Sequence, residues 1–244
     1  MNSIQLVVFD MAGTTVTDKH EVEYCFALAA RETGLEMTDE EILAVQGWGK
    51  RHVFETFWER QLGQRNEEWV LRVAQSYQRF TEVLEAHYHQ NQVLPTEGCT
   101  ELFTWLKDQG IAIALTTGFY RKVTNIILGK LGWLEGLDSQ HLGNANTIIQ
   151  ASIASDEVAK GRPAPDMILK AMNTLGINDP KTVINIGDTP SDIESGKRAN
   201  CLYSCCVSNG THTAQQLLPH NPDQAFDSLR GLMAFLKKEM VPAQ

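Results

Sequence analysis

Long apolar runs are missing from this 244-residue sequence; none approaches the roughly 20 residues that cross a bilayer as a helix, so no membrane partner is expected. Clustered basic residues are missing too. Lysine and arginine total 21 against 30 aspartates and glutamates, a formal charge of -9, and no Lys/Arg cluster is placed to follow a phosphate backbone. A nucleic-acid partner is therefore not expected, although seven histidines and scattered basic residues leave room for a local positive pocket for a small anion. Cysteines are few and odd in number, five, and the opening "MNSIQLVVFD" has neither a charged n-region nor a long apolar h-region. These features lead to the expectation of a cytoplasmic protein with reduced thiols. Cys205 and Cys206 are neighbours on a predicted strand, so their side chains point to opposite faces and cannot jointly hold a metal; core packing is expected of both. Internal repeats and low-complexity segments are also absent from the sequence.

What is present is an alternation of short apolar runs and amphipathic stretches, in a chain long enough to bury a substantial core. "LVVFD" (6–10), "IAIALTT" (111–117), "TVINIGD" (182–188) and "CLYSCCV" (201–207) read as strands buried on both faces. Between them "EGCTELFTWLKDQG" places Leu102, Trp105 and Leu106 on one helix face with Gly110 as a stop, and "APDMILKAMNTLG" does the same with Met167, Ile168, Met172 and Leu175. Strand and helix alternate from position 95 onward, the pattern of a parallel sheet covered by helices. Residues 17–92 break that pattern. They contain no strand-like run; Thr38 with Glu41 forms a capping-box signature, and "EEWVLRVAQSYQRFTEVLEAHY" keeps Val70, Val73, Tyr77, Phe80 and Leu84 at helical spacing. The expected architecture is α/β: a Rossmann-like parallel-sheet core formed by residues 1–16 and 93–244, with an inserted all-helical cap domain over 17–92. "NQVLPTEG" (91–98) is the natural return linker, and the amphipathic cap helices could pair two chains as a homodimer.

Open α/β sheets bind their ligands at the carboxyl ends of the strands. Those ends carry Asp10, Thr116 with Thr117, and Asp188 with Asp192. Carboxylates crowded together repel unless a cation or a shared proton compensates, and oxygen-only ligands favour Mg²⁺. A bound Mg²⁺ then needs an anionic partner, most often a phosphoryl group, and Arg162 in "KGRPAPD" adds positive charge near a helix start. Each piece alone has a plainer reading. An Asp after a strand commonly caps a turn or helix, "TTG" is commonly a turn, and "GDTPSD" offers cap formers in Asp188, Thr189 and Ser191. Their order, and their shared place after strands, favours a site.

Four segments in this order, "DMAGT", "LTTG", "KGRP" and "GDTPSD", resemble the motifs of the haloacid dehalogenase superfamily over nearly the whole chain. The resemblance implies a hydrolase in which Asp10 is a nucleophile that forms an aspartyl-phosphate. It also implies Mg²⁺ held by Asp10, Asp188 and the backbone carbonyl of Ala12, with Asp192 orienting the metal's ligands or waters. By the same resemblance Thr116 or Thr117 holds phosphoryl oxygens, with Thr117 preferred because it directly precedes Gly118. Arg162 takes the basic role with Lys160 as its competitor, and Gly118 and Gly47 join the substrate-binding residues.

Position 12 departs from most phosphatases of that superfamily. They carry there an Asp that protonates the leaving oxygen; the methyl group of Ala12 transfers no proton. One reading is a poor phosphatase with Ala12 packed beneath its loop. The sharper reading is a leaving group that needs no such acid, and "FDMAGTTV" resembles the phosphonoacetaldehyde hydrolase branch, which cleaves a carbon–phosphorus bond. There a cap lysine condenses with the substrate aldehyde and the iminium accepts the electrons of the breaking bond. "QGWGKRHVF" puts Lys50 forty residues after Asp10, with Gly47 three residues before it, at the place the resemblance gives to that lysine. A solvated lysine at a helix start is the plainer reading of Lys50. Where the branch usually has Met, His and Tyr around the lysine and the motif threonine, alignment places Gln46, Val53 and Phe119, which leaves His52 or His20 as substitutes.

The expected function is thus cleavage of phosphonoacetaldehyde or a related small phosphonate. The alternatives are a Mg²⁺-dependent phosphomonoesterase of a small phosphorylated metabolite and, in another class, a non-catalytic domain that binds phosphate ligands.

Overall fold

The computed structural model describes residues 4–239. Six strands form one parallel sheet, β1 (Leu6–Asp10), β2 (Ala112–Thr117), β3 (Ala151–Ala154), β4 (Val183–Gly187), β5 (Tyr203–Val207) and β6 (Gln224–Phe226), in the order β3-β2-β1-β4-β5-β6. All five residues of β1 are buried because this strand is central and covered on both faces. Its alternation splits the core: Val7 and Phe9 join one apolar cluster, Leu6 and Val8 the other. The chain runs from β1 out to one sheet edge and then, with β4, to the opposite edge. The carboxyl ends of β1 and β4 therefore flank the crevice where an open α/β sheet binds its ligand.

Helices α1 (Glu21–Thr33), α2 (Asp39–Ala44), α3 (Lys50–Leu62) and α4 (Glu67–Gln90) stand between β1 and β2 as a helical insertion. Its interior is aromatic: Phe26 stacks on Phe54 at 4.6 Å, and Phe80 meets their edges at 5.9 and 6.1 Å. The remaining helices, α5 (Cys99–Asp108), α6 (Arg121–Leu131), α7 (Asp166–Thr174), α8 (Pro190–Arg198), α9 (Ala214–Leu217) and α10 (Leu229–Glu239), belong to the sheet-bearing part of the chain. The two connections to the insertion run side by side. Thr17 N–H donates to the Leu94 carbonyl at 2.9 Å and Thr96 N–H to the Thr15 carbonyl at 3.0 Å, so outgoing and returning chain brace each other.

The α/β class, the helical insertion and four of the strands follow the sequence expectation. Strands β3 and β6 were not expected. "ASIA" is four residues with one large side chain, and "QAF" is a three-residue edge strand, so neither presents an apolar run. The capping box of Thr38 and Glu41 forms as expected. Val70, expected on the buried stripe of α4, is 60% exposed; in that first turn Trp69 turns inward instead and donates from Nε1 to the Glu55 carbonyl at 3.0 Å. Cys205 and Cys206 are buried in different clusters, on opposite faces of the sheet. Of the span assigned to the core from sequence, residues 1–3 and 240–244 lie outside the described residues.

Candidate active site

Asp10 ends β1, and the chain turns sharply behind it. Gly13 has φ +86°, and a Cβ there would lie 2.2 Å from an Asp188 oxygen, so only glycine lets this loop approach that carboxylate. The amides of Thr14, Thr15 and Val16 fold back on the Met11 carbonyl at 2.8–3.1 Å, and Thr15 Oγ1 donates to the Asp10 carbonyl at 2.9 Å. Asp188 follows β4 and accepts from Thr14 Oγ1 at 3.3 Å and from the Thr211 amide at 2.6 Å. Asp192 closes a capping box at the start of α8, its Oδ2 accepting from the Thr189 amide at 3.1 Å and Thr189 Oγ1 at 2.5 Å.

Oxygen atoms of Asp10, Asp188 and Asp192 lie within 4.8 Å of one another, and all three residues are buried. Burial first, with the neighbouring carboxylates adding to it, raises the pKa of Asp10 to about 8 and that of Asp188 to about 6, while Arg162 opposes the shift. A buried, oxygen-only donor set whose negative charge is held off by its own crowding suits a hard divalent cation. The guanidinium of Arg162 sits inside the same cluster. Its Nη2 donates to Asp10 Oδ1 at 2.5 Å and its Nη1 to Asp192 Oδ1, while its buried Nε has no hydrogen-bond partner among the described residues. Lys160, the competing basic residue, is exposed and reaches Asp166 through its backbone amide only. Arg162 is thus the cation beside the acids.

A small chamber of about 30 Å³ lies over this cluster, lined by Asp10, Ala12, Thr117 and Gly118 from the sheet side and by Gly47 and Lys50 from the insertion. Thr116 is paired with Asp10 in the sheet register but does not line the chamber. Thr117 does, and its Oγ1 accepts from the Phe119 amide at 3.1 Å. The insertion closes down through glycines. A Cβ at Gly118 would stand 3.0 Å from the Gly47 carbonyl oxygen; a Cβ at Gly47, where φ is +79°, would stand 2.4 Å from Ser191 Oγ. A larger cleft of about 590 Å³ adjoins the chamber, sharing Trp48, Lys50, Gly118 and Phe119 with it.

Lys50 opens α3 and is 5% exposed. Its Nζ donates to Gln46 Oε1 at 3.1 Å and lies 5.6 Å from the centre of the Phe26 ring. Burial, with a smaller push from the Arg162 charge and against the pull of Asp18, lowers its pKa to about 8. The solvated-lysine reading is therefore replaced by a desolvated amine aimed at the chamber. His20 and His52 do not join it; their side chains are 67% and 63% exposed, His20 beside Glu23 and His52 stacked on Trp48.

Among the chamber residues missed in the sequence are Asp18 and Gln46. Asp18 lines the chamber, and its Oδ1 also accepts from the Glu21 amide at 2.9 Å at the start of α1, so in sequence it reads as an ordinary helix cap. Gln46 was noted only as a departure from a resemblance; its acceptor role toward Lys50 depends on how the α2–α3 connection folds.

The chain belongs to the haloacid dehalogenase-like hydrolases, whose family pattern it matches over residues 4–200. Within that class it is 31% identical over 215 residues to a phosphonoacetaldehyde hydrolase of Bacillus cereus, covering 80% of this chain and 73% of the relative. It is 28% identical to the phosphonoacetaldehyde hydrolase of Latilactobacillus sakei, covering 83% and 75% of the two chains. Its fold resembles that of a phosphonoacetaldehyde hydrolase-like protein from Oleispira antarctica, with a TM-score of 0.78 at 21% identity over 97% of this chain and 92% of that one. A hydrolase from Pseudomonas syringae gives a TM-score of 0.75 at 18% identity, covering 96% and 98%.

Proposed function

We propose that this hydrolase cleaves the carbon–phosphorus bond of phosphonoacetaldehyde or a related small phosphonate, with Asp10 as nucleophile and Lys50 as an imine-forming amine. One observation carries the reading: the Lys50 amine lines the same chamber as Asp10, while the side chain two residues after the nucleophile is the methyl group of Ala12. An alkoxide leaving group would need an acid at that place. A carbanion delivered into an iminium needs none, because the electron pair of the breaking bond passes to nitrogen. With a pKa of about 8, roughly one Lys50 amine in ten is free to attack at pH 7, against fewer than one in a thousand at the ordinary value. The Bacillus cereus and Latilactobacillus sakei relatives, both phosphonoacetaldehyde hydrolases, support the same choice.

In this reading residues 17–92 act as the cap, and Asp10, Asp188, Asp192 and the Ala12 carbonyl would hold Mg²⁺. When bound, the metal neutralises carboxylate and phosphoryl charge so that Asp10 can approach phosphorus. Thr117 lines the chamber with a hydroxyl that can donate to phosphoryl oxygens, and Gly118 and Gly47 keep the walls of the chamber bare of side chains. Arg162, held against Asp10, orients that carboxylate and opposes the rise of its pKa. Phosphate release from phosphonoacetaldehyde by wild type and by Lys50→Arg tests the reading. Release by wild type that is lost in the variant is expected; release undiminished in Lys50→Arg contradicts it, since a guanidinium forms no imine.

One observation favours a Mg²⁺-dependent phosphomonoesterase instead: Val53 and Phe119 put apolar groups where proton carriers are usual in the phosphonatase branch. A wild type that hydrolyses alkyl phosphates and ignores phosphonoacetaldehyde would establish that second reading.

A further inference from the structure

We propose that Asp18 is a catalytic residue of the chamber, the carboxyl that carries the proton for condensation of the substrate aldehyde with Lys50. The assignment rests on the imine reading above and supplies a component which that reading lacks.

Forming an imine from a neutral amine and an aldehyde requires one proton. The Lys50 nitrogen bonds to the carbonyl carbon, giving a carbinolamine; a proton delivered to its hydroxyl lets the carbon–oxygen bond break, water leave and the iminium form. The structure holds few sources for that proton. Three titratable side chains line the chamber, Asp10, Asp18 and Lys50; the first is the nucleophile and the last the attacking amine. Val53 is wholly buried and apolar, Phe119 has no proton to give, His20 is exposed, and His52, stacked on Trp48, lines the larger cleft and not the chamber. That leaves Asp18.

Its surroundings suit a stored proton. Asp18 Oδ1 is fixed by the Glu21 amide at 2.9 Å, which holds the carboxyl at the mouth of α1. The Glu21 carboxyl is near enough to that of Asp18 to favour its protonated form. Burial first, and then Glu21, raises the Asp18 pKa to about 8, so the carboxyl keeps its proton at neutral pH. In the forward step amine, aldehyde and Asp18 carboxylic acid become iminium, water and Asp18 carboxylate. When the product iminium is hydrolysed, water and the Asp18 carboxylate regenerate aldehyde, free amine and Asp18 carboxylic acid. Between these two steps the enamine left by carbon–phosphorus cleavage takes up one proton at carbon to become the product iminium, and hydrolysis of the Asp10 aspartyl-phosphate by water releases one, so protons and water balance over the cycle.

The test is the rate at which borohydride traps an adduct on Lys50 during incubation with phosphonoacetaldehyde, for wild type, Asp18→Asn and Asp18→Glu. Asn keeps the oxygen that accepts from the Glu21 amide but has no acidic proton, so trapping should slow by about a hundredfold. Glu keeps the acid but strains the cap, and it should recover at least a tenth of the wild-type rate. A purely structural role reverses that order, with Asn faster than Glu. Trapping in Asp18→Asn at the wild-type rate, or the reversed order, overturns the assignment alone. A wild type that traps no adduct overturns the imine reading and this assignment together.

Discussion

Lys50 Nζ donates to Gln46 Oε1 at 3.1 Å, and both side chains are buried. A neutral amide oxygen holds the amine in place without the charge that would bind its extra proton more tightly. Gln46→Glu should therefore raise the Lys50 pKa above 8, and adduct formation at pH 7 should fall by about tenfold for each unit of rise. The check is the pH dependence of adduct formation: in wild type the rate should climb as pH rises toward 8 and the amine is freed, then fall above it as the Asp18 carboxyl loses its proton, and in Gln46→Glu the inflection of the rising limb should move up. An unmoved inflection would show that some other group sets the profile.

Asp10→Asn should reduce turnover by at least about a thousandfold, because an amide is a weak nucleophile and one carboxylate ligand is lost. Asp188→Ala should instead act mainly through metal affinity, so that excess Mg²⁺ restores part of the rate. Turnover measured across a Mg²⁺ titration separates the two, and a loss in Asp188→Ala that is independent of metal would exclude it as a ligand.

The raised pKa values of Asp10 and Asp188 also have a sign in stability. Both groups bind protons more tightly folded than unfolded, so between about pH 4 and 8 the native state holds more protons and stability falls as pH rises. Lys50 works the other way above about 8, where the unfolded chain holds the extra proton. Melting temperatures in EDTA should thus decline from pH 5 to 8, and Mg²⁺ should raise them most at the upper end. A Mg²⁺ increment independent of pH would contradict a metal bound by these carboxylates.

At the seam between insertion and sheet, Gly47→Ala meets both a left-handed backbone and a contact of 2.4 Å to Ser191 Oγ. The backbone alone should cost about 1–2 kcal/mol, and the contact should hold the cap loop off the chamber. Denaturant unfolding and turnover measured on the same variant should both show losses; a variant with normal stability and rate would mean that the loop repacks freely.

Much of this site was legible in the sequence, for a physical reason. Asp10, Thr117 and Asp188 end or follow strands buried on both faces, and such strands announce themselves as apolar runs with a polar residue at the end. Arg162 and Lys160 could not be separated, because only the fold shows which one turns inward to the acids. Lys50 was legible through its distance from Asp10 along a resembling pattern, not through its surroundings; the Phe26 ring and Gln46 that desolvate and hold it come from other turns of the insertion. Asp18 was hidden by a second job, since a residue that caps a helix looks in sequence like nothing more.

The central claim is that Lys50 forms a covalent imine with substrate. Wild type incubated with phosphonoacetaldehyde and borohydride, digested and examined by mass spectrometry, tests it most directly. A reduced adduct on the peptide containing Lys50, formed as activity is lost, is the predicted result; release of phosphate from phosphonoacetaldehyde with Lys50 left unmodified would contradict it.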